Sequence, residues 1–282
     1  MKIGHCQLEC APGEVEANVA KVLTGLEQAD VERLAIVSFP ESFLTGYFSS
    51  AADARAHSLR VDGPELASLL GRASGFRATY MVGFNEQRGM ELRNTVAVVE
   101  RGRLLGTYSK AFPCFAYFTP GREFPVFTRD GVCFGLVICA DGGYIEPTRI
   151  LALKGARIVF APHYNYIGKE NLINHFQKVR SDHIARAVEN SVWFVRGNNV
   201  CRGYDRGLAR PGVGYGDSYV LDPMGEMVVR SRRHVENMIW ADVDIAATVP
   251  KLARSGQSGR ALGGLLMREL EHFDDDGMRR QG

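Results

Sequence analysis

Glu41, Lys110 and Cys139 are the side chains in this sequence whose type and setting point to chemistry. Glu41 lies in Phe39-Pro40-Glu41-Ser42-Phe43-Leu44-Thr45-Gly46-Tyr47, where an apolar run passes into a carboxylate and then into aromatic residues. A carboxylate just past a buried strand end sits in a pocket rather than in bulk water and suits a general base, although an ordinary loop carboxylate is the commoner reading of this segment alone. Lys110 stands in Tyr108-Ser109-Lys110-Ala111-Phe112-Pro113, with Phe115, Tyr117 and Phe118 following. The chain carries 27 Arg and 7 Lys, so a Lys among aromatic rings suggests a need for an ammonium point charge rather than a planar fork. The competing reading is a Lys that snorkels along the surface. Cys139 closes the apolar run Gly135-Leu136-Val137-Ile138-Cys139 and is followed by Ala140-Asp141-Gly142-Gly143-Tyr144. A thiol at a strand-to-helix junction can face a pocket while nearby backbone N–H groups face a developing oxyanion. A lone Cys ending a strand is more often structural, and Cys133 on the same strand has no such setting.

Elements of both kinds are needed to bring these groups together. Strands are expected at Lys2–Leu8, Leu34–Phe39, Thr79–Asn85, Asn94–Glu100, Leu104–Ser109, Val126–Thr128 and Val132–Cys139. They are also expected at Arg157–Ala161, Val192–Asn198, Asp217–Leu221, Met227–Ser231 and Met238–Val243. Apolar residues at helical spacing predict helices over Glu14–Val31, Gly63–Ser74, Pro147–Gly155 and Asn171–Asn190. Helices in blocks with paired hairpins between them read as α/β or α+β, with helices covering two stacked sheets. No low-complexity linker interrupts the chain, so one domain over residues 1–250 is expected, with a tail over 251–282. In that tail Ala261, Leu262, Leu265, Leu266, Leu270 and Phe273 share one helical stripe. It either packs on its own domain or reaches a neighbouring subunit.

The composition narrows the function. The chain has 282 residues and a net charge of +2, which gives no support to a nucleic-acid or anionic-membrane partner. The amino-terminal stretch is too short and too polar for a signal peptide, and no window approaches a membrane-spanning run, so a cytoplasmic location is expected. Six scattered cysteines without a CxxC read as thiols. The seven histidines are not spaced as zinc ligands, so no metal and no cofactor are expected. There is no GxSxG elbow, HExxH, phosphate-binding Gly-Lys loop or GxGxxG after a strand. The Arg-rich stretches Arg202–Arg210 and Arg230–Arg233 read as solvated surface.

The order Glu41, Lys110, Cys139, each at a strand end, resembles the nitrilase superfamily of carbon–nitrogen hydrolases. The segments PESFLTGY, YSKAFP followed by YFTPG, and GLVICAD followed by ALKGA carry the resemblance. ARAVENSVWFVRGNN (Ala185–Asn199) and GDSYVLDPMGE (Gly216–Glu226) extend it, so that it runs from about residue 2 to residue 245. It implies a four-layer α-β-β-α sandwich of the nitrilase type, and a homodimer or higher homo-oligomer in which the tail packs on a partner subunit.

Carried over residue by residue, the resemblance implies Cys139 as nucleophile, Glu41 as general base and Lys110 as cationic stabiliser that also lowers the thiol pKa. The expected activity is a thiol hydrolase that cleaves a non-peptide carbon–nitrogen bond of a small amide or N-carbamoyl compound through a Cys139 thioester. The alternatives are a nitrilase acting on a nitrile, or a non-catalytic binding or regulatory protein on the same scaffold. Many family amidases carry a second glutamate shortly before the segment that is YFTPG here; Cys114 holds that place, and Glu123 just beyond is the nearest substitute. Tyr47, Cys114, Tyr117, Ala140, Tyr144, His163 and Asn165 are the expected substrate-binding residues, Tyr117 and His163 foremost, with Phe112 beside them. Glu146 with Arg149 and Arg186 with Glu189 are read as structural ion pairs.

Overall fold

The computed structural model describes residues 1–246, together with residues 264, 267 and 268. In chain order it runs β1 (Lys2–Gln7), α1 (Val15–Val31), β2 (Ile36–Ser38), α2 (Ala51–Ala56), α3 (Pro64–Arg72), β3 (Thr79–Arg88), β4 (Glu91–Glu100) and β5 (Arg103–Ser109). It continues through β6 (Val126–Arg129), β7 (Val132–Leu136), α4 (Ile145–Leu153), β8 (Ile158–Pro162), α5 (Leu172–Asn190) and β9 (Trp193–Gly197). Last come β10 (Val200–Cys201), β11 (Gly214–Tyr215), β12 (Tyr219–Leu221), β13 (Met227–Arg230) and β14 (Asn237–Asp242). The chain divides into two units, Met1–Thr248 and Val249–Gly282. The apolar stripe expected in the tail lies outside the described residues.

Two six-stranded sheets form the first unit, ordered β14-β1-β2-β3-β4-β5 and β13-β12-β9-β8-β7-β6. Alternation along each strand decides which layer each side chain joins, because successive side chains point to opposite faces. On β3 and β4, Tyr80, Val82, Phe84, Ala97 and Val99 join Val19, Val22, Leu26, Leu66 and Leu69 of α1 and α3 in one core. Met81, Val96 and Val98 point the other way and meet Phe134, Leu136, Ile158, Phe160 and Val195 of the second sheet. Val159, Ala161 and Phe194 face outward again, against Leu151 of α4 and Ala187 of α5. The layers are therefore helix, sheet, sheet, helix. Every side chain named in the inter-sheet core is under one-tenth exposed, and each such burial contributes about 1.5–3 kcal/mol.

Parallel pairing of β1, β2 and β3, and of β7, β8 and β9, sends the carboxyl ends of these strands toward one edge of the sandwich. The loops that leave β2, β7 and β8 carry Glu41, Cys139 and His163–Asn165. One expected boundary differs in a way that matters. The strand predicted over Val132–Cys139 stops at Leu136, although the Val137 N–H still donates to the Phe160 carbonyl (2.9 Å). Cys139 then opens a short helical turn over Cys139–Gly143 with φ +48°, so the thiol sits on a bend and not at a strand end. Helix α2 was not expected; Ser50 Oγ accepts from the Asp53 N–H (3.0 Å) at its start, a Ser-x-x-Asp cap that the sequence does display.

Candidate active site

Glu41 enters the site from the first sheet. The chain continues past β2 with the Phe39 N–H donating to the Met81 carbonyl (2.9 Å) and the Leu44 N–H to the Gly83 carbonyl (2.9 Å). Close approach to β3 requires glycine at position 83, because a Cβ there would stand 2.5 Å from the Ser42 nitrogen. Ser42 itself lies at φ +50°, so the backbone beside the carboxylate is held in a conformation that L side chains rarely adopt. Glu41 also bridges to the second sheet. Its N–H donates to the His163 carbonyl (3.3 Å), and its Oε2 accepts from the Tyr164 N–H (2.8 Å). Asn94 Nδ2 donates to Oε1 at 2.7 Å.

Lys110 follows β5 and is 1 % exposed; Glu41 is fully buried. Lys110 Nζ donates to Glu41 Oε1 at 2.7 Å and lies 3.6 Å from Cys114 Sγ. The Tyr47 ring stands 5.8 Å from the same ammonium. Burial works against the Lys110 charge, but the Glu41 carboxylate more than offsets it, and the ammonium is held well above its usual range. The snorkelling surface Lys is thereby excluded for this position.

Cys139 arrives from the second sheet. Asn165 Nδ2 donates to its Sγ at 3.5 Å. The orientation of that amide is fixed from behind, since Asn165 Oδ1 accepts from Arg196 Nη2 (2.7 Å). Burial and the neighbouring Glu41 carboxylate push the Cys139 thiol far up, and Lys110 only partly opposes them. Lys110 does lower the thiol pKa, as expected, but burial and Glu41 outweigh it. The sulfur rests as a thiol, and its proton has to leave as it attacks.

Asp141 joins the two loops. Its Oδ2 accepts from Tyr108 Oη (2.7 Å), the Ile138 N–H (3.1 Å) and the Ala111 N–H (3.3 Å), and its Oδ1 from the Phe112 N–H (2.8 Å). The Lys110 loop and the Cys139 bend thus hang on one carboxylate. Sequence reading missed this role, as it missed Asn94 and Arg196. Asp141 stands two residues after the thiol inside the quoted segment, which is the signal that could have found it. Asn94 and Arg196 are distinguished only by what the fold brings beside them.

A cavity of about 490 Å³ collects these groups. Glu41, Cys139, Tyr47, Cys114, Ala140, Tyr144, His163 and Asn165 all line it. Lys110 lies behind the wall, against Glu41 and Cys114. Tyr117 is not among the lining residues: its hydroxyl donates to the Phe48 carbonyl and its ring stacks on Phe115 (5.3 Å between centroids), which turns it into the aromatic core. Phe112 likewise stays outside the lining and stacks on Tyr144. His163 is a neutral imidazole, since burial, then Arg196 and His183, hold its pKa well below the usual value. Its Nδ1 donates to the Ala161 carbonyl (2.6 Å). Cys114 is exposed, and Glu123, the expected substitute for a second glutamate, is exposed and not among the lining residues. Of the two expected ion pairs, Arg186–Glu189 is present (2.8 Å), whereas Arg149 donates to the Glu189 carbonyl (3.2 Å) rather than pairing with Glu146. Among the described residues no cluster of three or more His, Cys, Asp or Glu side chains could hold a metal, and no helix is long and apolar enough to cross a membrane.

Comparison with known proteins gives the family and the fold. The profile of the carbon-nitrogen hydrolase family matches residues 2–250. A glutamine-dependent NAD(+) synthetase of Aquifex aeolicus is 26% identical over 269 residues, covering 90% of this chain and 45% of the synthetase, so this chain spans less than half the length of that relative. An (R)-stereoselective amidase of Pseudomonas sp. is 29% identical over 249 residues, with 86% of each chain covered. Among solved structures, a variant of the amidase from Nesterenkonia sp. AN1 carries the acetamide moiety of fluoroacetamide covalently added at its active-site cysteine. It superposes with a TM-score of 0.71 at 22% identity, covering 87% of this chain and 91% of that one.

Proposed function

The chain belongs to the carbon-nitrogen hydrolase family, and on that premise we propose that it is a thiol hydrolase cleaving the non-peptide C–N bond of a small amide or N-carbamoyl compound. The observation that carries this reading is convergence. A buried carboxylate and a thiol from the opposite sheet face one cavity, and an ammonium behind the wall bonds the carboxylate at 2.7 Å.

The steps follow from the arrangement. Glu41 removes the Cys139 proton while the sulfur attacks the carbonyl carbon, which is needed because the resting thiol is strongly protonated. Negative charge on the carbonyl oxygen is met by the Ala140 N–H and stabilised through the field of the Lys110 ammonium behind the wall. Glu41 returns the proton to the departing nitrogen, the C–N bond breaks, and ammonia or an amine leaves. A thioester remains on Cys139. Glu41 then takes a proton from water, the hydroxyl adds to the thioester carbon, and the sulfur leaves with that proton, releasing the acid. One carboxylate serves both halves, and the covalent intermediate divides a difficult step into two. His163 stays neutral and serves as cavity wall and hydrogen-bond partner, not as a proton carrier. Ala140 directly after the nucleophile leaves room for a bulkier acyl group.

The test is a panel of carboxamides, N-carbamoyl compounds and nitriles, with ammonia release followed and intact mass read for an acyl adduct on Cys139. Ammonia with a transient adduct, both abolished in a folded Cys139→Ala protein, is the expected result. Full turnover by Cys139→Ala removes the nucleophile assignment. Release from nitriles in place of amides favours the nitrilase alternative. Neither release nor adduct across the panel leaves a binding protein on this scaffold.

A further inference from the structure

The cavity has a charged rim that this chemistry does not use. Along α5, His175, Lys178, Val179, Asp182 and His183 line it, a spacing that puts them on one helical face. Arg210 lines it from the loop before β11, where its Nη2 donates to the Tyr166 carbonyl (3.1 Å). A second cavity of about 380 Å³ shares Tyr166, Ile167, His175, Lys178 and Arg210 with the first and adds Gly168, Asn171 and Asn174. Among the described residues its lining holds no carboxylate, although Glu170 stands beside it with its Oε1 accepting from Asn171 Nδ2 (3.1 Å). Asp182 belongs to the inner cavity alone, one turn along α5 from Lys178. The reacting end therefore pairs the Glu41 carboxylate with the Lys110 ammonium, and the outer end carries two cations against one carboxylate, since Lys178 acts on Asp182 one turn away while Arg210 bonds only a backbone carbonyl. His175 adds no charge between them, because burial, then Arg196 and Lys178, lower its pKa to about 4.

We propose that the substrate is two-ended, with its carboxamide or carbamoyl carbon at Cys139 and a carboxylate at the far end bound between Lys178 and Arg210. The proposal rests on the thiol-hydrolase reading above and supplies the substrate's other half. A guanidinium presents a planar fork that matches a carboxylate, and an adjacent ammonium adds a second positive charge. An ammonium tail at this end meets two like charges and is disfavoured. A space of about 490 Å³ is far larger than a two-carbon amide needs, and its outward continuation calls for a substrate with a tail.

The test uses wild-type protein, Lys178→Gln, Arg210→Gln and the double variant Lys178→Glu/Arg210→Glu. Each is assayed for ammonia release from monoamides of dicarboxylic acids of increasing length, from their methyl esters, and from ω-amino amides of matched length. The readout is the kcat/KM ratio of each acid to its ester within one protein, so a general loss of activity cancels. Two partly exposed ion pairs predict a wild-type preference of about tenfold for the acid at the best length, carried in KM. The preference shrinks as salt is added, falls in each single variant, and inverts toward the ω-amino amide in the double variant. Equal wild-type rates on acid and ester at every length overturn the proposal while leaving the hydrolase reading intact. A ratio unmoved by the double variant does the same. No turnover of any amide and no Cys139 adduct overturn both.

Discussion

Replacing Glu41 by Gln keeps the shape of the side chain and removes one charge from a pair that is almost fully enclosed, with side-chain exposures of 0% for Lys110 and 1% for Glu41. Breaking one side of a buried ion pair costs about 3–5 kcal/mol, because the other charge is left without a partner. The pH dependence of that cost is the sharper test. In the wild-type protein burial opposes the ammonium, Glu41 outweighs burial, and Lys110 is held above its ordinary value. A raised folded-state pKa gives stability that is complete below the unfolded value of about 10.4 and is lost as pH climbs through the folded one. With Gln at position 41 burial prevails and the folded value drops below the unfolded one. Between the two values the unfolded chain holds one more proton, so the variant gains about 1.4 kcal/mol per pH unit. The stability gap between the proteins is therefore widest near neutrality and narrows toward about pH 10. Urea unfolding from about pH 6 to about pH 10, in a Cys139→Ala background so that the thiol does not titrate, measures it. A gap below about 1 kcal/mol at neutral pH, or one that stays constant with pH, refutes the reasoning. In the Cys139 protein the same substitution lowers kcat by at least about 10²–10⁴-fold, the range for loss of a general base.

Three further outcomes are expected. Asp141→Asn sets an NH₂ group against backbone donors that now meet carboxylate oxygens, so unfolding experiments show a loss of about 1–3 kcal/mol; unchanged stability and kcat would remove its joining role. Gly83→Ala drives a Cβ toward the Ser42 nitrogen, which would stand 2.5 Å away. Denaturant melts lose about 1–3 kcal/mol and kcat falls more than KM rises, whereas wild-type kcat would show that the approach of β3 does not position Glu41. An uncharged alkyl thiosulfonate labels exposed Cys114 before Cys139. The Cys139 rate, read by peptide mass spectrometry, keeps climbing through alkaline pH, because burial first and Glu41 second hold that thiol above its usual range; a rate that levels off near neutrality contradicts this.

Much of the site was legible because it is local. Apolar runs stop at Pro40, Lys110 and the Ala140–Gly143 stretch, and Glu41, Lys110 and Cys139 stand at those marks, at or just past the ends of β2, β5 and β7. Short apolar runs between turns likewise exposed most strands of both sheets, but not which face each side chain takes, since Tyr80, Met81 and Val82 are all apolar and buried. What escaped was set by distance along the chain. Tyr117 looks like a pocket residue from its neighbours, yet the Phe48 carbonyl, 69 residues away in sequence, claims its hydroxyl. Lys110 lowers the thiol pKa as read, but the sequence does not show how far burial and Glu41 outweigh it. Asn94, Asp141 and Arg196 earn their places from partners on other strands. The two-residue strands β10 and β11 are too short to carry a periodic signal at all.

Glu41 and Lys110 leave one sheet, Cys139 and Asn165 leave the other, and no single sheet holds a working set. A chain in which only one half has assembled therefore owns a plain cysteine with no base beside it, or an acid and an amine with nothing to activate. On the proposed roles, reactivity requires both halves closed on each other. Mild denaturant should for that reason silence ammonia release before far-ultraviolet circular dichroism registers any loss of strand.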